Sequence, residues 1–467
     1  MNLKQLAKLG LQKGKQMDAA ISALSSASRT GMQKRKMKRV IKSIINNPQL
    51  FLDDPVFGQL AALCGESMKK PENHVLRESP APYEKWGTDI DEGALSQMKN
   101  ACSLPISIQG ALMPDAHLGY GLPIGGVLAA ENAVIPFAVG MDIACRMKLS
   151  VFDMPVSHIR DEKQRLIKAV ESETRFGVGV KFKNRRQHPV MDEDWSVSPV
   201  TKALKDKAWG QLGTSGSGNH FVEFGKLELY EKELGLEPGI YPALLSHSGS
   251  RGTGAEVAGH YSRLAKKIHP DLPKELASLA WLELNTEEGQ EYWAAMELMG
   301  RYAAASHELI HKYIAAHLGL EITAQLENHH NFAWKEKHMG MDLVVHRKGA
   351  TPAGPDAMGI IPGSMATPGY VIRGKGNAAS LHSASHGAGR LMSRKASKKR
   401  FKWKDAEKLL SDQKITLLSA GLDEVPMAYK DIDAVMDAQK DLVHVLARFD
   451  PRIVKMAPSG QRPKFDR

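Results

Sequence analysis

Hydrophobic and polar positions follow different patterns along the 467-residue chain. Residues 1–50 alternate apolar and basic positions with few breaks, which predicts a mostly helical segment. Residues 70–85 are polar and rich in proline, which indicates a domain boundary. Between this boundary and Gly140, short apolar runs are separated by glycines, as is typical of strands and loops. The pattern predicts a helical extension ahead of a domain with a different architecture.

Helical periodicity returns beyond Gly140. It is found near residues 160–173, 274–284, 287–318 and 429–449, and a further helix is expected to begin near Ala388. Strands and helices mix without a regular strand–helix–strand alternation, and the chain has no internal repeat. We therefore predict an α+β fold in which mixed β-sheets are surrounded by helices.

The charge of the chain is positive and unevenly distributed. A net charge of +11 and a pI near 9.3 favour a polyanionic partner such as nucleic acid. Residues 1–50 contain eleven Lys and Arg residues and one acidic residue, Asp18. A second basic stretch at residues 394–404 has Phe401 and Trp403 between its cations, which suits a single strand whose bases stack while its phosphates pair. The alternative for this stretch is a solvated helix face.

The sequence shows no membrane span, secretory signal or disulfide framework, and this bears on the cellular compartment. The sequence has no apolar run of about eighteen residues, which argues against a membrane span. The first residues have no compact apolar segment of a secretory signal, and a transit peptide is the alternative to a basic helical extension. Three cysteines, Cys64, Cys102 and Cys145, are too few for a disulfide framework, so we predict a reducing, cytoplasmic location.

A candidate nucleophile lies in residues 380–390 (SLHSASHGAGR), where His386 precedes a Gly-Ala-Gly-Arg turn. A glycine-rich turn can bring backbone N–H groups close to phosphate oxygens. A neutral imidazole beside such a turn can attack phosphorus and form a phosphoramidate. The alternative is the start of a helix with a capping serine and a surface histidine.

Candidate metal ligands recur in several loops. Asp142 and Cys145 are three residues apart, and two loops rich in Gly and Ser contain His220 and His247. A further imidazole cluster lies at residues 328–331 (NHHN). Mixed imidazole, carboxylate and thiolate ligands suit Mn²⁺, Zn²⁺ or Fe²⁺. Each loop alone is more often a structural turn than a site, but a histidine recurs in each loop rich in Gly and Ser.

A competing motif is the H-E-x-x-H sequence of zinc proteases, here formed by His307 and His311. His317 lies where an extended motif has its third ligand, but that motif needs a glycine at the position of Ile314 to turn the chain. Here the helix is expected to continue and carry His317 away. The alternative to a protease is an exposed helix.

Taken in order, these segments resemble the RtcB family of GTP-dependent RNA ligases. The matching stretches are residues 113–121 (MPDAHLGYG), 139–145 (VGMDIAC), 216–223 (GSGNHFVE), 247–252 (HSGSRG), 330–331 (HN), 346–351 (HRKGAT), 362–365 (PGSM) and 385–390 (SHGAGR). The resemblance implies one large catalytic domain with an RtcB-like fold at residues 80–467. Residues 1–79 would be an added basic, mostly helical extension.

The resemblance also implies roles for individual residues. His386 would accept GMP, and Asp115 would support the metals. Two Mn²⁺ ions would be bound by Asp142, Cys145, His220, His247 and His330, with Cys145 bridging. The guanylate would be contacted by Asn219, His220, Phe221, Val222, Glu223, His330, Asn331, Pro362, Gly363, Ser364, Met365, Gly387, Ala388, Gly389 and Lys455.

The implied activity is the joining of RNA 3′-phosphate or 2′,3′-cyclic phosphate ends to 5′-hydroxyl ends, in RNA repair or tRNA splicing. Members of the family use GTP through a guanylyl-histidine intermediate and often work with an activator called archease.

Three positions depart from the family pattern. Arg146 replaces a usual glycine, Gly369 replaces a common serine, and Lys455 is the nearest counterpart of a C-terminal lysine. Arg146 and the basic extension keep a second hypothesis open, an altered paralogue that binds and protects broken RNA ends.

Overall fold

The structure, a computed structural model, describes residues 5–6, 9, 11, 14–68 and 76–459. The chain divides into two compact units, Met1–Val75 and Leu76–Arg467. Each unit has a hydrophobic core of its own. Within the described ranges, no helix is both long and apolar enough to cross a lipid bilayer.

The first unit contains three helices in its described part. They are Lys15–Arg29 (α1), Lys34–Asn46 (α2) and Gly58–Met68 (α3), with a 3-10 turn at Pro48–Phe51. Apolar side chains at helical spacing form one stripe on each of α1 and α2, and these stripes meet in a common core. The core side chains include Met17, Ala20, Leu24, Met37, Ile41, Ile44 and Leu60.

The second unit has both helices and strands. Its helices, among the described residues, are Glu92–Cys102 (α4), Pro136–Val139 (α5), His158–Asp161 (α6), Lys163–Glu173 (α7), Pro199–Gln211 (α8), Arg251–Ile268 (α9), Glu287–Leu318 (α10), Arg394–Arg400 (α11), Trp403–Asp412 (α12) and Ile432–Asp437 (α13). Short 3-10 turns lie at Pro189–Met191, Trp195–Val197, Ala277–Leu279, Leu422–Glu424 and Pro426–Ala428.

The strands follow one another between these helices. They are Tyr83–Lys85 (β1), Ser107–Tyr120 (β2), Leu122–Ala130 (β3), Ala133–Val134 (β4), Arg146–Phe152 (β5), Phe221–Leu229 (β6), Gly239–Ser248 (β7), Leu282–Glu283 (β8), Ile322–His329 (β9), Asn331–His338 (β10), Met341–Lys348 (β11), Ala350–Pro352 (β12), Met358–Ile361 (β13), Gly369–Gly374 (β14), Ser383–Ser385 (β15), Thr416–Gly421 (β16) and Val443–Ser459 (β17).

Two large sheets dominate the second unit. One has the strand order β1-β2-β3-β11-β10, and the other has the order β13-β14-β17-β6-β7-β5-β9, with β16 paired to β17. Pairing is antiparallel except for β1 with β2 and β16 with β17, so both sheets are mixed. The edge strands β13 and β9 approach each other, as a hydrogen bond of 2.9 Å from the Ile360 amide to Asn328 Oδ1 shows. The larger sheet is therefore nearly closed into a barrel, and the predicted α+β class is confirmed.

Helix α10 covers one face of this sheet and is 32 residues long. Thr286 caps its start by accepting from the Gly289 amide at 3.2 Å, and Gly319 ends it in the left-handed region at φ +60°. Tyr292, Met299 and other apolar side chains along its length enter the core. The predicted helix at residues 287–318 is confirmed.

Three other local predictions are wrong. Residues 274–284 form a 3-10 turn and the short strand β8, not a helix. No helix begins at Ala388, because the chain there follows β15 in an irregular turn. Residues 429–449 contain only the short helix α13 before β17 begins. Buried strands and buried helices both read as apolar runs, so periodicity could not separate them.

Candidate active site

Neighbouring strands of the larger sheet end at one place and bring four candidate ligands together. Cys145 directly precedes β5, His220 directly precedes β6, and His330 directly follows β9. His247 lies near the end of β7 and is paired with Met147 of β5 and with Phe221 of β6. Because these strands are antiparallel neighbours, the start of one lies beside the end of the next.

The loop that carries Asp142 is held by an asparagine of the adjacent strand. Asn331 Nδ2 donates to the Asp142 carbonyl at 3.3 Å, and the Ala144 amide donates to the Asn331 carbonyl at 2.7 Å. Gly140 and Ala144 both have positive φ, at +99° and +55°, which lets the chain fold back toward the sheet. Asn331 therefore positions the ligand loop.

The candidate ligand atoms form two groups that share one sulfur. Cys145 Sγ lies 3.1 Å from His247 Nε2 and 3.4 Å from His220 Nε2. His247 Nε2 lies 3.2 Å from His330 Nε2, and Asp142 Oδ2 lies 2.9 Å from His220 Nε2. Within each group, Cys145–His247–His330 and Asp142–Cys145–His220, the ligand atoms lie within 4.8 Å of one another. A bridging thiolate between two ions fits this arrangement.

The protonation states of these groups also fit a metal. Burial lowers the pKa of His247 to about 3 and that of His330 well below its usual value, so both rings are neutral. Burial and the nearby Asp142 carboxylate raise the pKa of the Cys145 thiol, so a thiolate here requires a cation beside it. Burial alone would raise the pKa of Asp142, but the hydrogen bond from His220 holds it below its usual value.

Two glycines make room for these ligands. A Cβ atom at Gly249 would lie 2.2 Å from Asp142 Oδ1, and one at Gly216 would lie 1.7 Å from His220 Nδ1. Both atoms are buried, and the carboxylate oxygen Asp142 Oδ1, which an ion could bind, has no hydrogen-bond partner among the described residues. Buried polar atoms without partners are rare, and a bound ion satisfies such atoms. The cluster can therefore hold a metal ion with mixed nitrogen, sulfur and oxygen ligands.

His386 lies in a turn that is fixed by a distant carboxylate. Asp115, which is fully buried, accepts hydrogen bonds at Oδ2 from the His386 amide at 3.1 Å, the Gly387 amide at 3.3 Å and His386 Nδ1 at 2.7 Å. A Cβ atom at Gly389 would lie 2.2 Å from the Asp115 carbonyl oxygen, so the turn packs directly on this strand. Two N–H groups that were predicted to bind phosphate, those of His386 and Gly387, thus already donate to Asp115. The alternative prediction, that a capped helix begins here, is wrong.

The contact with Asp115 decides which nitrogen of His386 is free. An ionised carboxylate can only accept, so the proton of the neutral ring is held on Nδ1 and the lone pair is left on Nε2. The His386 ring lies 5.0 Å from the His330 ring, centroid to centroid, so His386 lies beside the candidate ligand cluster. The Asp115–His386 pair can present a nucleophile beside an ion held by the cluster.

A cavity of about 680 Å³ opens at His386. Its lining combines residues at and before the start of β6, the 362–365 turn and the Gly-Ala-Gly turn. Predicted site residues in the lining are Asn219, Phe221, Glu223, His247, Pro362, Gly363, Ser364, Met365, His386, Gly387, Ala388 and Gly389. This volume is within the range of small-molecule and cofactor sites.

Other predicted contacts do not line the cavity. Val222 is fully buried on the opposite face of β6, between Phe221 and Glu223. Lys455 is paired with Val222, and its Nζ lies 3.4 Å from the Val170 carbonyl, while Met456 lines the cavity. His220 and His330 belong to the metal cluster beside the cavity, and Asn331 supports the Asp142 loop.

Glu223 lines the cavity and has a pKa well above its usual value. Burial raises its pKa to about 8, so its carboxyl group carries a proton at neutral pH. A neutral carboxyl group can donate a hydrogen bond as well as accept one. Gly369, where the family often has serine, also lines the cavity and leaves one hydroxyl fewer.

Sequence reasoning missed several polar side chains of the lining. His117, Tyr120, Arg394, Lys395 and Tyr429 all line the cavity. His117 lies in the matched stretch 113–121, and Arg394 and Lys395 begin the basic stretch at residues 394–404. The sequence could therefore have indicated these three residues. Nothing in the sequence pattern indicated Tyr429.

Cations at the cavity are partly neutralised. Arg390 Nη1 binds Glu424 Oε2 at 2.9 Å, and Arg394 Nη1 lies 3.3 Å from Glu424 Oε1. Phe401 and Trp403, predicted to stack on bases, are only partly exposed and pack against a hydrophobic core. The two rings contribute to the packing of this region, whereas the sequence predicted that RNA bases stack on them.

Arg146 does not reach the metal cluster. Successive side chains of a strand point to opposite faces, so Arg146 and Cys145 are directed apart. Arg146 Nη2 lies 3.2 Å from His329 Nδ1, and Nη1 lies 3.5 Å from Glu327 Oε1. The side chain and charge of Arg146 are therefore on the opposite side of the sheet from the candidate ligands.

The H-E-x-x-H histidines also lie on that other side. His307 and His311 are fully buried, which corrects the expected exposed helix. Ser246 Oγ lies 2.8 Å from His307 Nδ1 and 2.8 Å from His311 Nε2, and Ser150 Oγ lies 2.7 Å from His311 Nδ1. Serine hydroxyls therefore use three of the four ring nitrogens. Helix α10 continues to Leu318 past Ile314, as expected, so the protease hypothesis has no support here.

The site combines a cluster that can hold metal ions with a histidine beside a cavity of cofactor size, as expected of a metal-dependent enzyme. The family described as "tRNA-splicing ligase RtcB" matches residues 97–456. The chain belongs to the RtcB family.

Relatives from bacteria and archaea agree with this assignment. "RNA-splicing ligase RtcB" of Escherichia coli is 33% identical over 405 residues, covering 80% of this chain and 96% of that protein. "tRNA-splicing ligase RtcB" of Methanococcus maripaludis is 31% identical, covering 86% and 96%. The protein of the same name from Nanoarchaeum equitans is 32% identical, covering 77% and 91%.

Proposed function

We propose that this protein is an RNA ligase that joins RNA 3′-phosphate or 2′,3′-cyclic phosphate ends to 5′-hydroxyl ends. The proposed setting is RNA repair or tRNA splicing in the cytoplasm. One observation carries the proposal: His386 is fixed through Nδ1 by buried Asp115 and lies beside the Cys145–His247–His330 cluster. The names of its relatives support RNA as the substrate.

In the proposed reaction, His386 Nε2 forms a bond to the α-phosphorus of GTP and pyrophosphate leaves. GMP then passes from the histidine to the RNA 3′-phosphate. Water first opens the end where it is cyclic. A 5′-hydroxyl attacks the activated 3′ end, so that a phosphodiester forms and GMP leaves.

The protein groups have distinct tasks in this reaction. Asp115 keeps the proton on Nδ1 of His386 and stabilises the ring as it gains positive charge on attack. The five candidate ligands, Asp142, Cys145, His220, His247 and His330, would hold two Mn²⁺ ions, with the sulfur shared. Bound Mn²⁺ would offset the negative charge of the triphosphate and of the leaving pyrophosphate.

The cavity lining would hold the guanylate. Phe221 and Met365 offer apolar surface to the base, and the protonated Glu223 carboxyl offers both a donor and an acceptor to its polar edge. The predicted backbone contacts at Pro362, Gly363, Ser364, Gly387, Ala388 and Gly389 line the same cavity. Lys455 would need to leave its present carbonyl contacts to reach the nucleotide.

Several further expectations remain part of this proposal. The division into an extension at residues 1–79 and a catalytic domain at residues 80–467 is retained. An archease-like activator would assist turnover. The three cysteines are free and buried, which suits a reducing location.

Incubation with Mn²⁺ and GTP labelled at the α-phosphate tests the proposal directly. The wild-type protein is expected to acquire an acid-labile label, and His386→Ala is expected to acquire none. His382→Ala, which changes a histidine outside the cavity, is the matched control and keeps the label. An RNA pair with a 3′-phosphate and a 5′-hydroxyl then checks joining. Label that persists in His386→Ala, or no label with any divalent metal, contradicts the proposed reaction.

A further inference from the structure

We propose that helix α2 (Lys34–Asn46) docks on the backbone of base-paired RNA and anchors the substrate whose ends are joined. This inference rests on the proposed function and adds a class of substrate to it. It concerns the first compact unit, Met1–Val75, which lies outside the residues that match the family, 97–456.

One face of α2 is densely cationic. Its six basic side chains are all exposed: Lys34, Arg35, Lys36, Lys38, Arg39 and Lys42. The sequence of the helix, KRKMKRVIKSIIN, contains no acidic residue. Among the described residues, no ion pair neutralises any of these six cations. The face therefore presents a concentrated positive potential to solvent.

The spacing of these cations is unfavourable for the helix by itself. Lys34, Lys38 and Lys42 follow one another at i,i+4, where like charges repel. The first turn carries cations although the helix dipole favours anions there, and Gln33 provides no side-chain cap. A polyanion laid along this face removes both penalties. The strip from Lys34 to Lys42 is about 12 Å long, which covers a few consecutive phosphates.

The chemistry of the face favours a paired backbone over other polyanions. Its exposed positions contain no aromatic ring, whereas proteins that hold single strands stack bases on such rings. Met37, Ile41 and Ile44, the apolar side of the same helix, are at most 6% exposed and belong to the core of the unit. They are unavailable for insertion into a lipid surface. Contact with phosphates and sugars alone is how double-stranded RNA is held.

The test uses the full-length protein and a nicked RNA hairpin with a 3′-phosphate and a 5′-hydroxyl at the nick. The triple variant Lys38→Gln/Arg39→Gln/Lys42→Gln keeps helix-forming side chains and removes three charges. We expect its affinity for the hairpin to fall about 10–100-fold at low salt. We also expect the slope of log K against log salt to decrease by roughly 2–3. An unstructured RNA strand of equal length should lose much less.

The matched control removes the same charge from exposed helix positions of the second unit. Lys168→Gln/Lys267→Gln/Lys312→Gln should change hairpin affinity by less than about threefold. Thermal melting checks that both variants fold. Wild-type affinity and salt slope in the α2 variant would overturn the proposal. The proposal would also be overturned if the variant lost affinity for the unstructured strand to the same extent, or if it lost affinity only for phosphatidylserine vesicles.

The label at His386 separates this inference from the proposed function. The α2 variant should acquire the guanylyl label at the wild-type rate, because the helix takes no part in that step. If the wild-type protein acquires no label but binds the hairpin through α2, the ligase reaction is contradicted and the docking surface stands.

Discussion

Two groups of buried histidines lie back to back on the larger sheet. On one face, His220, His247 and His330 converge on Cys145, and ring nitrogens face each other at 3.2 Å. On the other face, His307 and His311 are equally buried but are hydrogen-bonded to serine hydroxyls at 2.7–2.8 Å. The two groups are separated by a single step along β7, from Ser246 to His247, because a strand alternates its faces.

The difference between the groups lies in what satisfies their nitrogens. Burial lowers the pKa of histidines in both, so a lowered pKa does not identify the functional group. The ring contacts of His307 and His311 are supplied mainly by the protein itself. In the ligand cluster the ring nitrogens converge instead on Cys145 Sγ and the Asp142 carboxylate, and Asp142 Oδ1 has no hydrogen-bond partner among the described residues. Convergence of ligand atoms, more than burial or motif, marks the candidate site.

The largest expected contrast comes from removing one histidine of each group. His247→Ala should reduce guanylyl labelling by more than about 100-fold and lower the content of bound metal, because a ligand is lost. The His307→Ala variant should retain the metal content of the wild type. Its melting temperature should be about 3–6 °C lower, because the substitution leaves a cavity in the core. Metal analysis and thermal melting measure both. Loss of metal in His307→Ala would show that the reverse face is itself part of the metal site.

Ser246→Ala addresses the hydroxyl that both reverse-face histidines share. It should destabilise the protein by about 1–3 kcal/mol, because two buried ring nitrogens lose their partner. Bound metal should be retained, since the side chain points away from His247. Ser262→Ala is the control, because that buried hydroxyl has no partner among the described residues, and its cost should be smaller. Equal melting temperatures for the two variants would contradict the role given to Ser246.

Glu223 offers a pH test on the cavity side. Its pKa is about 8 in the folded protein and has a usual value of 4.5. The folded state therefore binds a proton more tightly, so this contribution to stability is complete below pH 4.5 and is lost as the pH rises toward 8. The slope is at most about 1.4 kcal/mol per pH unit. Glu223→Gln should remove this dependence in thermal melts from pH 5 to 8. Parallel curves for the two proteins would contradict it.

The smallest effect is expected from Arg146→Gly. Because the guanidinium contacts Glu327 and His329 on the reverse face, its removal should change the labelling rate by less than about threefold. Labelling kinetics at saturating GTP measure this. A tenfold gain would mean that Arg146 does limit the chemistry at His386.

The sequence was sufficient to predict the fold class, and the candidate ligands that it indicated lie together in the structure because their motifs are in loops at strand ends. It could not show that Asp115 fixes His386, since the two are 271 residues apart and only the folded chain joins them. It also could not give the direction of Arg146, which depends on the strand beginning there. The helix expected at residues 429–449 failed because only Ile432–Asp437 is helical there, and the chain from Val443 onward pairs with β14 and β6 as strand β17.

The position of β17 has a consequence for synthesis of the protein. This last described strand lies between β14 and β6, so it pairs the β13–β14 edge with the strands that carry the candidate ligands. The cavity draws its walls from both parts, including Pro362 and Phe221. A nascent chain that stops short of Val443 therefore cannot assemble the cavity. Truncated translation products are expected to be inert, which keeps incomplete copies from acting on cellular RNA.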